Sequence, residues 1–201
     1  MAAGDLARAW ALLRLGRDYR AAWTEHAARP AYEDGAPPDR GEPVPAAGPG
    51  GQALPVRIRS EADRIAERDW SLLAWEDPDG DAVSAFFDVP MLGGEGSTEA
   101  PPLLPMLEAA GARIEGLRLG GGALVLKVEK DAMAVQVRIA APAPLLAGGG
   151  VRLVHDWGLA LPVAIARLGD LWSVTGGDPS AGPTPRRGIG GRAHGNGSGR
   201  N

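Results

Sequence analysis

The sequence predicts an α+β fold in which a small antiparallel β-meander packs against a C-terminal helix. Apolar residues recur at every second position through residues 114–139, which is the period of β-strands with one buried face. Three glycines at 120–122 and the pair Lys130-Asp131 divide this stretch and predict tight reversals between antiparallel strands. So small a sheet needs an apolar partner, so we expect a helix on one face of the meander and water on the other.

The covering helix is predicted at the C-terminal end of the core. Pro162 suits the first turn of a helix, and glycines at 176–177 end it. Apolar residues at helical spacing lie between them: Leu161, Ile165, Leu168 and Trp172. We expect the last two to be buried against Leu126 and Val137 of the meander, because they share one helix face.

Two short helices are predicted at the N-terminus, with Asp5 and Asp18 as their caps. The residues at one-face spacing are Leu6, Trp10 and Leu13 in the first helix and Tyr19, Ala22, Trp23 and His26 in the second. The pattern allows either a helical hairpin or a kinked continuation. We predict that Trp10, Tyr19 and Trp23 form a contact face for a partner protein.

Two further helices and a turn are predicted before the meander. Ser60 and Asp63 resemble a capping box that opens a short helix, and residues 103–110 form another. Residues 70–75 should be extended and should lead into a turn at 77–80, where Asp, Pro and Gly favour a reversal.

This turn also has an interpretation as a calcium loop. Asp77, Asp79, Asp81 and Asp88 stand at the first, third, fifth and twelfth positions of such a loop. The sixth position, where glycine makes the sharp turn, is Ala82. We therefore predict a solvated turn and no metal site.

Composition divides the chain into four parts. Two stretches are rich in Pro and Gly and lack an apolar pattern, so they bury too little surface to offset the entropy of ordering. Shorter loops are predicted at 93–102 and 140–150. The predicted organisation is an N-terminal helical segment at 1–29, a linker at 30–55, an α+β core at 56–176 and a disordered tail at 177–201.

Composition excludes several classes of active site. The chain has a net charge of −4 and no cysteine, which excludes disulfides, thiolate nucleophiles and cysteine zinc sites. We predict no catalytic, cofactor-binding or metal-binding residue. The alternative of a small enzyme would use the adjacent residues His155 and Asp156 near the sheet.

The sequence gives no sign of membrane contact. The N-terminus lacks a continuous apolar signal segment, and the longest apolar run, at 160–166, is too short to span a bilayer. We therefore predict a cytoplasmic location and no membrane partner.

The tail from 178 to 201 carries a local positive charge within an acidic chain. It holds four arginines and no acidic residue after its first position. Local positive charge gains from counterion release on nucleic acid, so Arg186, Arg187 and Arg192 are candidate nucleic-acid contacts. The alternative is a disordered end without a binding role.

Several segments together resemble a known family. Residues 6–14 (LARAWALLR) followed by 18–20 (DYR) are similar to the opening of a proteobacterial transcriptional-regulator-like domain family, a domain of unknown function. Further resemblances are Trp70-Ser71-Leu72 to its tryptophan-containing strand, Asp77-Pro78 to its turn, 116–139 to its strand segment and 167–172 to its helix. The resemblance covers most of the predicted ordered chain. It implies a regulator-like role beside a helix-turn-helix-like partner domain.

These observations predict a non-enzymatic, regulator-like accessory protein that acts through protein–protein contacts, with a DNA-linked role as an extension. The expected partner is another protein, nucleic acid is a weaker candidate, and no cofactor is expected. The oligomeric state stays open. The alternatives are the small enzyme and a structural partner subunit, which would present a flat apolar patch.

Overall fold

The computed structural model describes residues 3–33, 54–154 and 161–174. Their fold is α+β, with one mixed sheet of seven strands that is covered on both faces. The helices are α1 (Ala3–Leu13), α2 (Arg17–His26), α3 (Asp63–Trp70), α4 (Leu103–Ala109), α5 (Ala143–Leu146) and α6 (Leu161–Val174). The strands are β1 (Ala31–Tyr32), β2 (Val56–Ile58), β3 (Leu92–Ser97), β4 (Arg113–Arg118), β5 (Leu124–Lys130), β6 (Met133–Ala140) and β7 (Gly150–Val154), in the spatial order β1-β2-β4-β5-β6-β3-β7. Within these ranges, no helix has the length and apolarity needed to cross a bilayer.

The predicted meander forms the centre of the sheet. β4, β5 and β6 pair antiparallel, and their register aligns Gly116, Leu126 and Val137. Gly121 and Gly122 have φ angles of 81° and 86°, which glycine adopts without strain, so they make the reversal between β4 and β5. The prediction that the meander is the whole sheet is wrong, because β2 adds to β4 and β3 adds to β6, both in parallel.

β3 lies in a stretch that the sequence pattern assigns to a loop. Half of its six residues are glycine, so no apolar alternation marks it as a strand. A Cβ atom at Gly94 would lie 2.6 Å from Cγ1 of Val151, and one at Gly96 would lie 2.5 Å from the carbonyl oxygen of Ala141. The missing side chains therefore allow β3 to fit between β6 and β7.

Two edge strands also correct the predicted boundaries. β1 lies inside the predicted linker, yet it pairs antiparallel with β2. β7 begins inside the predicted loop at 140–150 and pairs antiparallel with β3. Residues 34–53 of the predicted linker and the tail at 177–201 lie outside the described residues.

One face of the sheet is apolar and is covered by α4, α5 and α6, as predicted for the C-terminal helix. The shared core contains Leu126, Val128 and Val137 from the sheet and Leu107, Leu145 and Leu171 from the helices. The predicted contact face of α6 is wrong, because Leu168 and Trp172 are 41% and 54% exposed. The buried apolar positions are Ala164, Leu171 and Val174, and Arg167 is buried as well. Two stripes of apolar residues lie side by side along α6, and their helical spacing alone does not show which stripe is buried.

The opposite face of the meander was expected to meet water, but it is buried. Residues 71–89, the cover segment, cross it as irregular chain with an antiparallel bridge between Leu72 and Phe87. Leu73 and Phe86 of this segment pack against Leu117 and Val125 of the sheet. α1, α2 and α3 share a second core with the cover segment. The protein therefore has a second covered face, and its polar side chains are buried.

The two stripes of α6 predict unequal effects of truncation. Leu171→Ala removes contacts in the apolar core and should lower the free energy of unfolding by about 2–5 kcal/mol. Trp172→Ala removes a half-exposed ring and should lower it by about 1 kcal/mol or less. Urea unfolding followed by circular dichroism measures both values. A larger loss for Trp172→Ala would contradict the orientation of α6.

Candidate functional site

Side chains of α1, α2 and the turn between them hold the cover segment against the sheet. Nε1 of Trp10 donates to a backbone carbonyl of the segment at 3.1 Å, and the Tyr19 hydroxyl donates to the carbonyl oxygen of Glu76 at 2.6 Å. Arg14 donates to two carbonyl oxygens of the turn at 77–80, at 2.8 and 2.7 Å. The N-terminal helices therefore fix the backbone that carries Glu76.

The acidic turn of the cover segment is anchored by two arginines. Arg20 donates to both carboxylate oxygens of Asp79 at 2.7 Å, and Arg113 lies 3.1 Å from the carboxylate of Asp81. Oδ1 of Asp77 accepts the backbone N–H of Asp79 at 2.9 Å, as in an Asx turn. Among the residues that the structure describes, no three His, Asp or Glu side chains are grouped to hold a metal ion.

Asp63 joins the start of α3 to the cover segment. Its Oδ2 accepts the N–H and the hydroxyl of Ser60, both at 2.7 Å, which supplies the acidic half of the predicted capping box. Its Oδ1 accepts the backbone N–H of Trp75 at 2.8 Å and lies 3.6 Å from the guanidinium of Arg57. Arg57 also donates to the carbonyl oxygen of Trp75. The chain next to Glu76 is thus fixed on this side too.

The ammonium group of Lys127 on β5 lies at the centre of the buried polar face. Its Nζ is 3.3 Å from Oε2 of Glu115, 3.4 Å from Oε2 of Glu76 and 3.5 Å from Oε1 of Glu129. It donates to the carbonyl oxygen of Ser84 at 2.9 Å and lies 4.5 Å from the ring centroid of Phe86, a cation–π distance. An ammonium group has three protons, so these four acceptors must share them.

These contacts set the charge of each group. Burial alone would lower the pKa of Lys127, but the three carboxylates raise it above its usual 10.5. Burial alone would raise the pKa of Glu115, but Lys127 and Arg57 bring it below its usual 4.5. The pKa of Glu76 is raised by burial, and the two cations do not offset this. Lys127 and Glu115 therefore stay charged at neutral pH, whereas ionising Glu76 opposes folding.

An open cleft of about 460 Å³ lies between the end of α2, β1, the cover segment and the sheet. The aromatic side chains of Trp23, Tyr32 and Trp75 line it. The Tyr32 hydroxyl donates to Oε1 of Glu115 at 3.1 Å, and burial together with the charge of Glu115 raises the pKa of Tyr32. The side chain of Glu76 also lines the cleft and is 15% exposed. Two of the carboxylates that hold Lys127 therefore border this cleft.

The predicted contact residues lie at different depths. Trp10 and Tyr19 are 1% and 0% exposed, and their rings meet edge-on with centroids 5.6 Å apart. The helical spacing of Trp10 and Tyr19 is thus explained by packing beneath the N-terminal helices. Neither ring has a free surface in this fold. Trp23 is half-buried and lines the cleft. Contact between these residues and a partner stays a prediction, with Trp23 as the accessible member.

The remaining predicted site residues lie outside the described part of the chain. They are His155 and Asp156 of the enzyme alternative and Arg186, Arg187 and Arg192 of the candidate nucleic-acid contact. Their roles stay predictions.

Sequence reasoning missed the buried charges because it assigned the polar positions of the meander to water. A signal was available in the strand register. Glu115 lies opposite Lys127, and Leu117 lies opposite Val125 on that same face. A face that carries large apolar residues beside an opposite-charge pair is typical of a covered surface.

No family model fits the chain, and no curated protein is significantly similar to it. The resemblance to the transcriptional-regulator-like domain family therefore stays a prediction. The function has to be argued from the site itself.

The raised pKa of Glu76 predicts that Glu76→Gln stabilises the protein at neutral pH. The folded state binds the Glu76 proton more tightly than the unfolded state, so this group makes the wild type less stable as the pH rises above about 4.5. Glutamine keeps the shape and avoids this loss. Thermal unfolding midpoints should be similar near pH 4 and higher for the variant near pH 7. A variant that melts lower than the wild type near pH 7 would show that the Glu76 charge stabilises the fold instead.

Proposed function

We propose that this chain is a non-enzymatic, regulator-like accessory protein that binds another protein, and that the cleft is the surface it uses. The observation that carries the proposal is the composition of the cleft. Six of its fifteen lining residues are Trp, Tyr or Arg, the residue types in which binding hot spots are enriched. Four of them are accessible: Trp23, Tyr32, Arg29 and Arg113. The other two, Trp75 and Arg57, are 2% and 3% exposed and support the surface from beneath.

The support behind the cleft favours binding because it fixes the walls in advance. Lys127 holds Glu76 and Glu115 from inside the sheet, and Arg57 holds the backbone at Trp75. Side chains that are already immobilised lose little conformational entropy when a partner binds. The cleft is therefore a preorganised recognition surface.

The charges of Lys127 and Glu115 favour recognition over proton transfer. A general acid or base works best with a pKa near the ambient pH. The pKa of Lys127 is raised and that of Glu115 is lowered, so both charges stay fixed near neutral pH. Fixed charges orient a partner and select against the wrong one.

The proposal predicts a cross-link from the cleft rim. Ala28 is exposed and lines the cleft, so p-benzoylphenylalanine placed there should give one discrete cross-linked protein in cells of the source organism. Ala147 is an exposed alanine beyond α5, on the other side of the sheet, and is the matched control. Trp23→Ala should abolish the product from position 28, since a hot-spot ring accounts for about 2 kcal/mol or more of binding. Immunoblots and mass spectrometry give the readout, and circular dichroism checks that the variant folds.

Equal products from positions 28 and 147 would contradict the use of the cleft, as would a product that survives Trp23→Ala. The absence of any cross-linked product from position 28 would also contradict the use of the cleft.

The DNA-linked part of the proposal rests on the charge of the tail. Replacing Arg186, Arg187 and Arg192 together by glutamine should weaken retardation of duplex DNA in gels at low salt. Three lost phosphate contacts should reduce the slope of log K against log salt by about 2.7. The matched control replaces three exposed arginines on the helices α1 and α3, Arg8, Arg64 and Arg68. If both triple variants lose binding equally, the effect is one of net charge and the tail has no specific role.

A further inference from the structure

The floor of the cleft has more negative than positive charges. This floor is the buried ionic cluster behind the cleft, which holds the carboxylates of Asp63, Glu76, Glu115 and Glu129 beside two cations, Arg57 and Lys127. Of this cluster, Glu76, Glu115 and Arg57 line the cleft itself. The rim is balanced, with two arginines and two aspartates. The floor therefore carries an excess of two negative charges when all groups are ionised, and such a potential attracts a cation.

Two carboxylates of this floor are also incompletely hydrogen-bonded, although Nε of Arg57 is itself a buried donor without a partner among the described residues. The three protons of Lys127 serve four acceptors, and Oε2 of the buried Glu129 has no hydrogen-bond partner among the described residues. Among the described residues, the Glu76 carboxylate receives one hydrogen bond, at 3.4 Å from Lys127, and it lies 3.9 Å from Arg57. Of these under-supplied carboxylates, Glu76 is the one that borders the cleft. A donor that enters the cleft would find its acceptor there.

The walls fit a flat cation. Trp23, Tyr32 and Trp75 line the cleft, and aromatic faces attract cations through the ring quadrupole. A guanidinium group is planar, stacks on aromatic rings and presents several donors to a carboxylate, whereas an ammonium group is compact and more strongly hydrated. The same chemistry occurs elsewhere in the fold, where the guanidinium of Arg14 lies 5.7 Å from the ring centroid of Trp10.

We propose that the cleft binds an arginine side chain of the partner protein, with Glu76 as the receiving carboxylate and Trp23 and Tyr32 as the aromatic walls. This inference rests on the proposed function, because it names the chemistry of the partner at the same cleft. In the complex the guanidinium adds hydrogen-bond donors and a positive charge beside a carboxylate whose ionised form is disfavoured by burial. A positively charged segment of a partner protein is thus the ligand class.

The experiment titrates the full-length protein with N-acetyl-arginine amide, which carries a guanidinium and no carboxylate. Shifts of the tryptophan indole resonances in ¹H–¹⁵N spectra should saturate with a Kd on the order of 1 mM, as expected for so small a ligand. Glu76→Gln should weaken binding at least tenfold. Glu95→Gln removes one carboxylate from an exposed ion pair with Arg152, away from the cleft, and should leave binding unchanged.

Two further probes set the specificity. N-acetyl-citrulline amide has nearly the same shape without the charge, and it should show no saturable shift. N-acetyl-lysine amide should bind several-fold more weakly than the arginine probe. Equal binding of citrulline or of lysine overturns the assignment of a guanidinium site, as does equal binding to the wild type and Glu76→Gln.

The outcome separates this inference from the proposed function. If the cross-link at position 28 depends on Trp23 but the arginine probe does not bind, the cleft is a protein-binding surface and the arginine inference fails. If the probe binds through Glu76 but no cross-link forms, the inference about chemistry holds and the partner proposal fails.

Discussion

The buried ammonium of Lys127 is the constraint on which the covered polar face depends. A charge removed from water requires compensation by opposite charges and hydrogen bonds. Here Glu115 comes from the neighbouring strand, Glu129 from the same strand, and Glu76 and the Ser84 carbonyl from the cover segment. Two of these partners exist only while residues 71–89 lie over the sheet. The irregular segment is therefore part of the core rather than a loop on it.

The packing of the N-terminal helices follows from the same need to hold the cover segment over the sheet. An irregular segment has few backbone hydrogen bonds of its own, so its carbonyl groups need outside donors. Trp10, Arg14 and Tyr19 supply them across more than fifty residues of sequence. This explains why Trp10 and Tyr19, two residues of types that suit a contact surface, are buried in the interior. A buried ionic cluster adds little net stability compared with apolar packing, but it fixes one arrangement of segment and sheet.

The parts of the fold that could be predicted are those with a simple apolar period. The three meander strands, the helix at 103–110 and the C-terminal helix follow from alternation or helical spacing. β3 could not be predicted, because a strand rich in glycine shows no alternation of apolar and polar residues. Its glycines are required by the close approach of Val151 in the folded structure. The face of α6 was misassigned because two stripes satisfy the same spacing. The site was missed for a third reason: a charge at an alternating position has the same pattern whether water or a buried partner compensates it, and the partner Glu76 is 51 residues from Lys127.

Glu76 links the interior to the cleft, and this joint position has a thermodynamic consequence. Its carboxylate contacts the buried ammonium on one side and lines the open cleft on the other. Any group that stabilises the ionised form of Glu76 from the cleft also relieves the penalty that burial imposes on it. A ligand that binds the folded state alone raises the stability of that state by mass action. A cation bound in the cleft should therefore stabilise the contact between the cover segment and the sheet. Binding at the surface and the stability of the second covered face are thus coupled through the side chain of Glu76.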